Sequence, residues 1–410
     1  MTRLRSVADN FRNRDQPMWK LINPIQHYDW GSKTALTDLY GISNPQHQPM
    51  AELWMGAHPA ASSGVIIDGR QQSLQALITS DSCGMLGPQI SARFGRLPYL
   101  FKVLCAESAL SVQVHPDKRS AELGFARENQ AGIPQGSPQR NYKDDNHKPE
   151  LLYALTPFLA MNGFRELSEI TELFSPLTAV HPQIAAFVRQ PDRASLQQLF
   201  TRLLRLQGEE KRQALQQLDE CCQRQQGPAR DAVQTLRQHY PDDAGRFMPL
   251  LLNVVTLAPG EAMFLHARTP HAYLSGCGLE IMANSDNVLR AGLTAKHMDI
   301  DELVASVNFN SRPVCSLLTP PELLPGEQAF PVPVSDFCFS VAELTASPRP
   351  VRWQGPRIFF CLQGEACCSS AGQTLSLAPG GSLYIPASEH DVLLSGQGKI
   401  AVAYTSTTQP

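Results

Sequence analysis

Four side chains of the kinds that bind divalent metal ions fall in three strand-like segments. Gln113 and His115 lie two residues apart in an alternating run, so both point to one face of a strand. Glu150 precedes a second apolar run, and His271 opens a third after a Thr-Pro turn. Two imidazoles, a carboxylate and an amide oxygen suit Zn²⁺, or alternatively Mn²⁺, Co²⁺ or Fe²⁺. The absence of a thiolate predicts a catalytic metal site. The alternative is a hydrogen-bonded polar face with a turn histidine.

Cationic side chains accompany the same segments. Arg290 and Lys296 close a stretch rich in glycine and alanine, whereas Lys102 and Lys148 belong to the other two segments. If these cations converge, they form a phosphate pocket in a chain whose net charge is -3, and Ser111 adds a hydroxyl donor. The alternative for each cation is a solvated side chain or a surface ion pair.

Proton transfer has four candidate groups in these segments. Lys148, His147, Glu280 and Asp286 can each exchange protons if burial and neighbouring charges shift their pKa values. The sequence does not choose among them. Glu280 and Asp286 are alternatively groups that orient a metal ligand or Arg290.

The composition limits the class of protein. Of 410 residues, 18% are charged and 42% hydrophobic, which indicates a globular protein of two or three domains. The net charge of -3 favours neither nucleic acid nor an anionic membrane surface, and no apolar run reaches the length of a bilayer span.

Residues 1–17 lack the apolar core of a secretory signal, and we expect a mobile extension or a start set too early. Ten cysteines without a C-x-x-C pair indicate reduced thiols in a cytoplasmic protein, which we expect to be a monomer.

Short apolar runs bounded by Pro and Gly predict strands in the first 165 residues and again from residue 248. Residues 119–140, which are polar and rich in Gly and Pro, are predicted to be a long loop. A block at 166–246 has helical periodicity, and residues 297–312 are predicted to form a surface helix.

The clearest predicted helix covers residues 196–206, where apolar residues recur at helical spacing. Ser195 and Gln198 have the spacing of a capping box at its start, and Gly208 follows its predicted end.

An internal repeat connects the two strand-rich regions. Residues 256–276 and 376–396 share a Leu-Ala-Pro-Gly turn, a short apolar strand and a Leu-Ser-Gly end at a constant offset of 120. This pattern predicts two related jelly-roll barrels. Asp391 stands where the first copy has His271, so the second barrel is expected to lack the metal site. The fold class is therefore mainly β with a helical insert, and the predicted division is 1–17 (extension), 18–165 with 247–322 (catalytic domain), 166–246 (helical insert) and 323–410 (second barrel).

Two long blocks carry a family resemblance. Residues 142–150 and 271–296 resemble the signature blocks of type I mannose-6-phosphate isomerases (phosphomannose isomerases), and the similarity runs from about Met18 to the end. The resemblance implies two cupin-type barrels with a helical insert, and one zinc ion per chain on Gln113, His115, Glu150 and His271. It implies that Arg290 is the active-site arginine and that Ser111, Lys148, Glu280 and Lys296 line the substrate pocket. We also expect Lys102, Tyr273 and Trp30 to bind substrate. Ala295 stands where the family usually has Pro, which predicts a looser placement of Lys296.

The implied reaction interconverts mannose 6-phosphate and fructose 6-phosphate through a cis-enediol(ate). The implied ligand is a small sugar phosphate, and the implied pathway is GDP-mannose synthesis or mannose catabolism. Two other classes are weighed against this one. A cupin oxygenase would hold Fe²⁺ open to O₂ and needs no phosphate pocket, and a sugar-binding double cupin needs neither Lys148 nor Arg290.

Overall fold

The computed structural model describes residues 17–405. The predicted extension 1–17 therefore lies, apart from Pro17, outside the described residues, as do residues 406–410.

The described chain contains short helices before the predicted insert and a run of longer ones within it. The α-helices are α1 (Ala35–Tyr40), α2 (Leu74–Ser80), α3 (Ser82–Leu86), α4 (Pro88–Phe94), α5 (Lys118–Gln130), α6 (Leu167–Phe174), α7 (Pro182–Arg189), α8 (Arg193–Leu204), α9 (Gly208–Arg224), α10 (Pro228–His239), α11 (Met248–Leu251) and α12 (Ile300–Ser306). None of the helices described within residues 17–405 is long and apolar enough to cross a membrane.

The strands fall on either side of these helices in sequence. They are β1 (Trp19–Lys20), β2 (Ile25–Gln26), β3 (Glu52–His58), β4 (Ala61–Ser62), β5 (Gly64–Ile67), β6 (Arg70–Ser73), β7 (Tyr99–Ala106), β8 (Gln113–Val114), β9 (Glu150–Ala154), β10 (Phe158–Phe164), β11 (Leu252–Leu257), β12 (Ala262–Leu265), β13 (His271–Ala283), β14 (Leu289–Arg290), β15 (Glu322–Leu324), β16 (Glu327–Phe330), β17 (Cys338–Leu344), β18 (Arg349–Pro350), β19 (Arg357–Ser370), β20 (Gln373–Leu377), β21 (Ser382–Ile385) and β22 (Leu393–Tyr404).

Two large sheets and one hairpin account for these strands. The first sheet follows the path β11-β10-β13-β7-β3-β2 with β4, β8, β9, β12 and β14 paired off it. The second follows β1-β21-β19-β22-β17-β16-β15 with β18 and β20 off the path, and β5 pairs with β6. Strand β1 thus joins the second sheet although residues 19–20 were assigned by sequence to the first β region.

Strand β13 is the element around which the first sheet is organised. It pairs antiparallel with β7 over its second half, from Gly276 opposite Ala106 to Ala283 opposite Tyr99. Its first half pairs with β10, its first residue with β8, and its second half also with β9. The strands that carry the candidate ligands therefore all contact β13.

The internal repeat is visible in the backbone. Strand β12 and strand β21 occupy positions that differ by the 120 residues of the sequence offset. Gly260 and Gly380, which end the two Pro-Gly turns, have φ values of 94° and 81°, a region that L-residues rarely adopt. The glycine of the shared turn therefore has a positive φ in both copies.

The two sheets share one apolar core. Phe101 on β7 lies 6.0 Å from Phe339 on β17 and 6.3 Å from Phe360 on β19, measured between ring centroids. The Tyr99 hydroxyl donates to the backbone oxygen of Ala403 at 2.9 Å. Because neither sheet buries these rings alone, the two β regions depend on each other for this part of the core.

The helices α6–α10 pack against the outer face of β10 and β13. Their core joins Phe174, Phe187 and Phe200 to Ala272 and Leu274 of β13. Helix α8 begins earlier than predicted, because Asp192 and Ser195 form a reciprocal capping box that starts the helix at Arg193. Gly208 begins α9 and does not end α8, so the sequence interpretation of both ends was wrong.

Two other local predictions were wrong. The segment predicted as a loop over 119–140 begins with the 13-residue helix α5, capped by Asp117, whose carboxylate accepts from the Ser120 N–H at 2.8 Å. The apolar face of α5 is narrow, because Gly124 is the residue that faces the buried Tyr142 ring. A polar helix of this kind has no strong hydrophobic periodicity from which it could be predicted. The helix predicted over 297–312 is limited to Ile300–Ser306.

Candidate metal centre and substrate pocket

Three buried side chains come together at one end of β13. Glu150 Oε1 lies 3.5 Å from His115 Nε2, and Glu150 Oε2 lies 3.4 Å from His271 Nε2. One ligand atom from each of these residues lies within 4.8 Å of the other two. Within residues 17–405 this is the one such group of His, Cys, Asp and Glu. The sequence-predicted ligands on three separate segments therefore meet in space.

Register explains how the segments meet. His271 is directly opposite Gln113 on β8, and Gln113 is directly opposite Arg290 on β14. Directly opposite residues in an antiparallel sheet project from the same face. Gln113 and His271 line the same cavity. Arg290 is the next residue in this line of cross-strand partners.

Both histidines are oriented by backbone oxygens. His115 Nδ1 lies 2.7 Å from the Asn287 carbonyl oxygen, and His271 Nδ1 lies 2.9 Å from the Thr269 carbonyl oxygen. A carbonyl oxygen only accepts, so each Nδ1 carries the proton and each Nε2 keeps its lone pair. The lone pairs face Glu150, which is the arrangement that a metal ion needs.

Burial and charge set the protonation of His115 and Glu150. Burial lowers the pKa of His115 to about 4, and Lys148 acts in the same direction. Burial alone would raise the pKa of Glu150, but the positive charge of Lys148 outweighs it and holds that pKa well below its usual value. A neutral imidazole and an ionised carboxylate are the forms that bind metals.

The residues present fit a zinc ion. His115 Nε2 is buried and has no hydrogen-bond partner among the described residues, which is costly for a polar atom unless something binds it. Two imidazole nitrogens and a carboxylate, with the Gln113 amide in the same cavity, form the donor set of a catalytic zinc site.

The cavity beside the trio collects much of the predicted site. Its lining includes seven residues predicted from sequence together with Glu52, Leu104, Leu110 and Ala272; the seven are Lys102, Gln113, Lys148, Glu150, His271, Tyr273 and Glu280. Lys148 Nζ lies 3.0 Å from Glu150 Oε1. Lys148 therefore stands at the border between the metal ligands and the open part of the cavity.

A buried charge network forms another part of the cavity lining. Lys102 Nζ donates to Glu280 Oε2 at 2.7 Å and lies 3.8 Å from Glu52 Oε1. The Tyr273 hydroxyl donates to Glu280 Oε1 at 2.8 Å, and Trp54 Nε1 donates to Glu52 Oε2 at 2.6 Å. Burial acts to lower the pKa of Lys102, but the carboxylates of Glu280 and Glu52 outweigh it and raise that pKa. Burial raises the pKa of Glu280.

Four predicted residues lie elsewhere around the site. His147 Nε2 lies 3.1 Å from Asp336 of the second β region, and Asp286 lies 3.7 Å from His58 Nε2 with its side chain half exposed. Ser111 is half-buried at the entrance to β8, and Trp30 stacks on Tyr28 at a centroid distance of 5.7 Å. None of the four is among the residues that line the described cavity.

Two further cations stand close to each other. Burial lowers the pKa of Lys296, and the nearby positive charges of Arg290 and Lys143 lower it further. Within residues 17–405, neither Arg290 nor Lys296 has an ion-pair partner. Arg290 is half-buried and Lys296 is exposed. Unpaired neighbouring cations are suited to an anion such as a phosphate.

Sequence reasoning missed Glu52, Trp54, His58 and Asn287 as parts of the site. The one local signal was Glu52, a carboxylate in the otherwise apolar strand β3. Asn287 gave no signal, because its contacts come from residues far away in sequence.

Comparison with known proteins gives consistent matches along the chain. Family models for the phosphomannose isomerase type I catalytic domain, its helical insertion domain and the mannose-6-phosphate isomerase cupin domain match residues 18–167, 173–252 and 326–405. The chain is 54% identical over 388 residues to mannose-6-phosphate isomerase of Escherichia coli strain K12, covering 94% of this chain and 99% of that protein. It is 34% identical to the human mannose-6-phosphate isomerase, covering 89% of this chain and 92% of the relative.

Solved structures give the same result. A crystal structure of mannose 6-phosphate isomerase described as holo and zinc-bound matches with a TM-score of 0.93 at 54% identity, over 95% of this chain and all of that one (100%). A second, described as bound with zinc and yttrium, matches with a TM-score of 0.92 at 54% identity and the same coverage. The predicted fold class, a mainly β framework with a helical insert and a cupin domain, is confirmed.

Proposed function

The chain belongs to the type I mannose-6-phosphate isomerases, and on that basis we propose that it interconverts D-mannose 6-phosphate and D-fructose 6-phosphate through a cis-enediol(ate). The observation that carries the proposal is the buried trio His115, Glu150 and His271, which adjoins a cavity lined with acid–base groups. An aldose–ketose isomerase has to move a proton between adjacent carbons of one sugar, and that needs titratable groups close to the bound substrate.

We propose that one zinc ion per chain is held by His115, Glu150 and His271, with Gln113 as the fourth protein ligand. When bound, zinc supplies Lewis acidity toward sugar oxygens. The ligating protonation states of His115 and Glu150 and the unpartnered His115 Nε2 support this assignment.

Proton transfer falls to groups that the sugar can reach. Of the four candidates, Lys148 and Glu280 line the cavity, whereas His147 and Asp286 have partners outside its lining. The raised pKa of Glu280, which is due to burial, favours a role for this carboxyl group in taking up and releasing a proton. We therefore rank Glu280 and Lys148 above His147 and Asp286.

The sugar's phosphate is assigned to the cation pair. Gln113 is the cross-strand partner of both His271 and Arg290. Lys296 lies close enough to Arg290 that the charge of the arginine lowers the pKa of Lys296. An arginine can bind phosphate oxygens through two parallel hydrogen bonds. The alternative role for Arg290 is to offset negative charge that develops on the enediolate oxygen.

The domain division, the monomeric state, the cytoplasmic location and the use of the product in GDP-mannose synthesis stay predictions. Light scattering on the purified chain measures the oligomeric state directly.

A coupled isomerase assay on mannose 6-phosphate tests the proposed function. We expect activity to be lost after prolonged incubation with EDTA and to return on addition of zinc under anaerobic conditions. An iron-dependent cupin oxygenase would instead require Fe²⁺ and O₂. A sugar-binding protein would bind the sugar phosphate without turnover, and absence of turnover by zinc-loaded, folded protein would refute the isomerase proposal.

A further inference from the structure

A single asparagine joins two of the segments that hold the metal ligands. Asn287 lies between β13 and β14 and has no exposed surface (0%). Its side chain reaches the segment that leads into Glu150, and its backbone reaches His115, which directly follows β8. No step of the proposed mechanism uses this residue.

The Asn287 side chain is saturated with hydrogen bonds to one short segment. Its Oδ1 accepts from the backbone N–H of Lys143 at 2.7 Å and of Asp144 at 3.2 Å. Its Nδ2 donates to the carbonyl oxygens of Asp144 at 2.8 Å and Asn146 at 2.9 Å, and to Asp144 Oδ1 at 3.2 Å. An amide has this donor and acceptor pattern and a carboxylate does not, because a carboxylate has no donor.

The Asn287 backbone holds a metal ligand. Its carbonyl oxygen accepts from His115 Nδ1 at 2.7 Å, which leaves the Nε2 lone pair directed toward Glu150. The position of this oxygen therefore sets both the tautomer and the ring orientation of His115.

Asp144 closes the network from the opposite side. Its Oδ1 accepts from the Asn146 N–H at 2.9 Å and the Ser285 hydroxyl at 2.8 Å, and its Oδ2 accepts from the Asp286 N–H at 2.7 Å. The segments 142–150 and 284–288 are thus joined by side-chain bonds in both directions. A shift of either segment would move His115 and Glu150 relative to each other.

We propose that Asn287 is a positioning residue that fixes His115 and Glu150 relative to each other and so sets the zinc affinity of the site. The inference rests on the proposed zinc site and deepens it. Partners of this kind, which contact a ligand and not the metal, typically change metal affinity about 10- to 100-fold when they are removed.

The test measures zinc affinity in Asn287→Ala by competition with a chromophoric chelator. Asn287→Ala keeps the carbonyl that His115 donates to but removes the bonds that hold this carbonyl in place. We expect affinity to fall about 10- to 100-fold and the visible absorption spectrum of the cobalt-substituted protein to change, because the ligand geometry changes.

Asn44→Ala is the control. Asn44 is half-buried, its Nδ2 donates to the carbonyl oxygens of Lys33 at 2.8 Å and Gln48 at 2.7 Å, and its Oδ1 accepts from the Gln48 N–H at 3.2 Å, so its bonds reach neither a metal ligand nor a cross-strand partner of one. This substitution is expected to lower thermal stability while zinc affinity and the cobalt spectrum stay as in the wild type. Equal losses of affinity in both variants would overturn the proposal, because general destabilisation would then explain them.

A milder variant covers the case in which Asn287→Ala does not fold. Asp144→Asn keeps the shape of the side chain but places an amide donor against an N–H donor, so we expect about 10-fold weaker zinc binding. Unchanged zinc affinity in a folded Asn287→Ala or Asp144→Asn protein would overturn the positioning role alone. Failure of the wild type to bind zinc would instead refute the zinc site itself, so the two failures are distinguishable.

Discussion

Burial and backbone bonds hold the individual residues of the metal centre in ligating form. His115 is kept neutral by burial, and its Nδ1 proton is used by the Asn287 carbonyl. Glu150 is ionised because the positive charge of Lys148 outweighs the effect of its burial. His115 and Glu150 are therefore already in ligating form, and the effect of each residue of the trio on activity can be tested one side chain at a time.

Glu150→Gln removes the one carboxylate of the trio while keeping its shape. Loss of a residue that contacts a ligand and not the metal lowers metal affinity by up to about 100-fold. We expect zinc affinity to fall by more than this in Glu150→Gln, because a direct ligand loses its charge. Isomerase activity should fall in parallel and recover partly at high zinc. Metal content after dialysis is the measurement, and Glu261→Gln, at a turn of the same sheet, is the control. Full zinc retention by Glu150→Gln would contradict the assignment.

Arg290→Lys keeps the positive charge at the proposed phosphate site but loses the planar pair of donors. Removal of one donor to developing negative charge costs about 10²–10³ in kcat, so we expect Arg290→Ala to lose about that factor and Arg290→Lys to recover only part of it. Steady-state kinetics on mannose 6-phosphate give the split between kcat and KM. Arg237→Ala on the helical insert should leave both unchanged, and wild-type kinetics in Arg290→Ala would refute the role.

Helices and strands place these residues through features of backbone conformation. Helix α5 packs Gly124 against the Tyr142 ring, and Tyr142 begins the segment that leads to Glu150. Strand β13 changes direction at Gly276, which allows it to pair with β10 before this point and with β7 and β9 after it. Both elements depend on residues that the bare hydrophobic pattern does not identify.

Asp117→Ala should weaken α5 by removing its N-terminal cap, at a cost of about 1 kcal/mol near neutral pH. Burial raises the pKa of Asp117, but the bonds from Ser120 outweigh this and the net pKa is lowered. A carboxyl whose folded pKa is lowered stabilises the fold above its unfolded pKa, and this contribution is lost as pH falls through the folded pKa. The stability difference between wild type and variant, measured by urea unfolding, should therefore shrink on acidification below pH 4, approximately the unfolded pKa of Asp. Asp242→Ala, at an exposed turn, should show no such difference.

Gly276→Ala tests the bend in β13. Gly276 has a φ of 117°, and a Cβ there would lie 2.6 Å from the Pro157 carbonyl oxygen. Strain at such a φ together with a backbone clash should cost about 2–4 kcal/mol. Gly132→Ala is the matched control, since Gly132 has a φ of 71° but open space around it. Thermal unfolding should show the larger loss at Gly276, and equal losses would argue against a packing role for the bend.

The whole molecule is held together by a core that belongs to both β regions. Phe101 of the first sheet contacts Phe339 and Phe360 of the second sheet, and β1 crosses from the N-terminal side to pair with β21. His147, next to Lys148, contacts Asp336 in the second region. The second β region therefore supports the site although it contributes no ligand to the described trio.

Phe360→Ala should destabilise the entire molecule and not the second region alone. Loss of a fully buried phenylalanine costs about 3–5 kcal/mol, and its contacts lie on both sheets. We expect a single calorimetric unfolding transition at a lower temperature than in the wild type. Zinc-dependent activity should be lost over the same temperature range. Leu323→Ala, whose side chain is 77% exposed, should leave the transition in place. A separate, unshifted transition for the first region would contradict the shared core.

The sequence by itself determined the groups of the site, because the residue types that bind metal and phosphate stand in recognisable segments. Gln113 and His115 on alternating positions, Glu150 and His271 at strand starts, and Arg290 after them were all named without coordinates. The helical insert and the 120-residue repeat were also predicted, since local periodicity and turn composition depend only on neighbours in the chain.

Tertiary structure decided what depends on distant partners. It placed Glu280 and Lys148 in the cavity and His147 against Asp336, a choice that the sequence left open because all four have the right chemistry. Helix α5 was missed because its stability depends on the Asp117 cap and on packing against Tyr142, and its polar face gave no period. Asn287 was missed for the same reason: its hydrogen bonds span 143 and 172 residues of sequence to Asp144 and His115, and only the folded chain brings those atoms together.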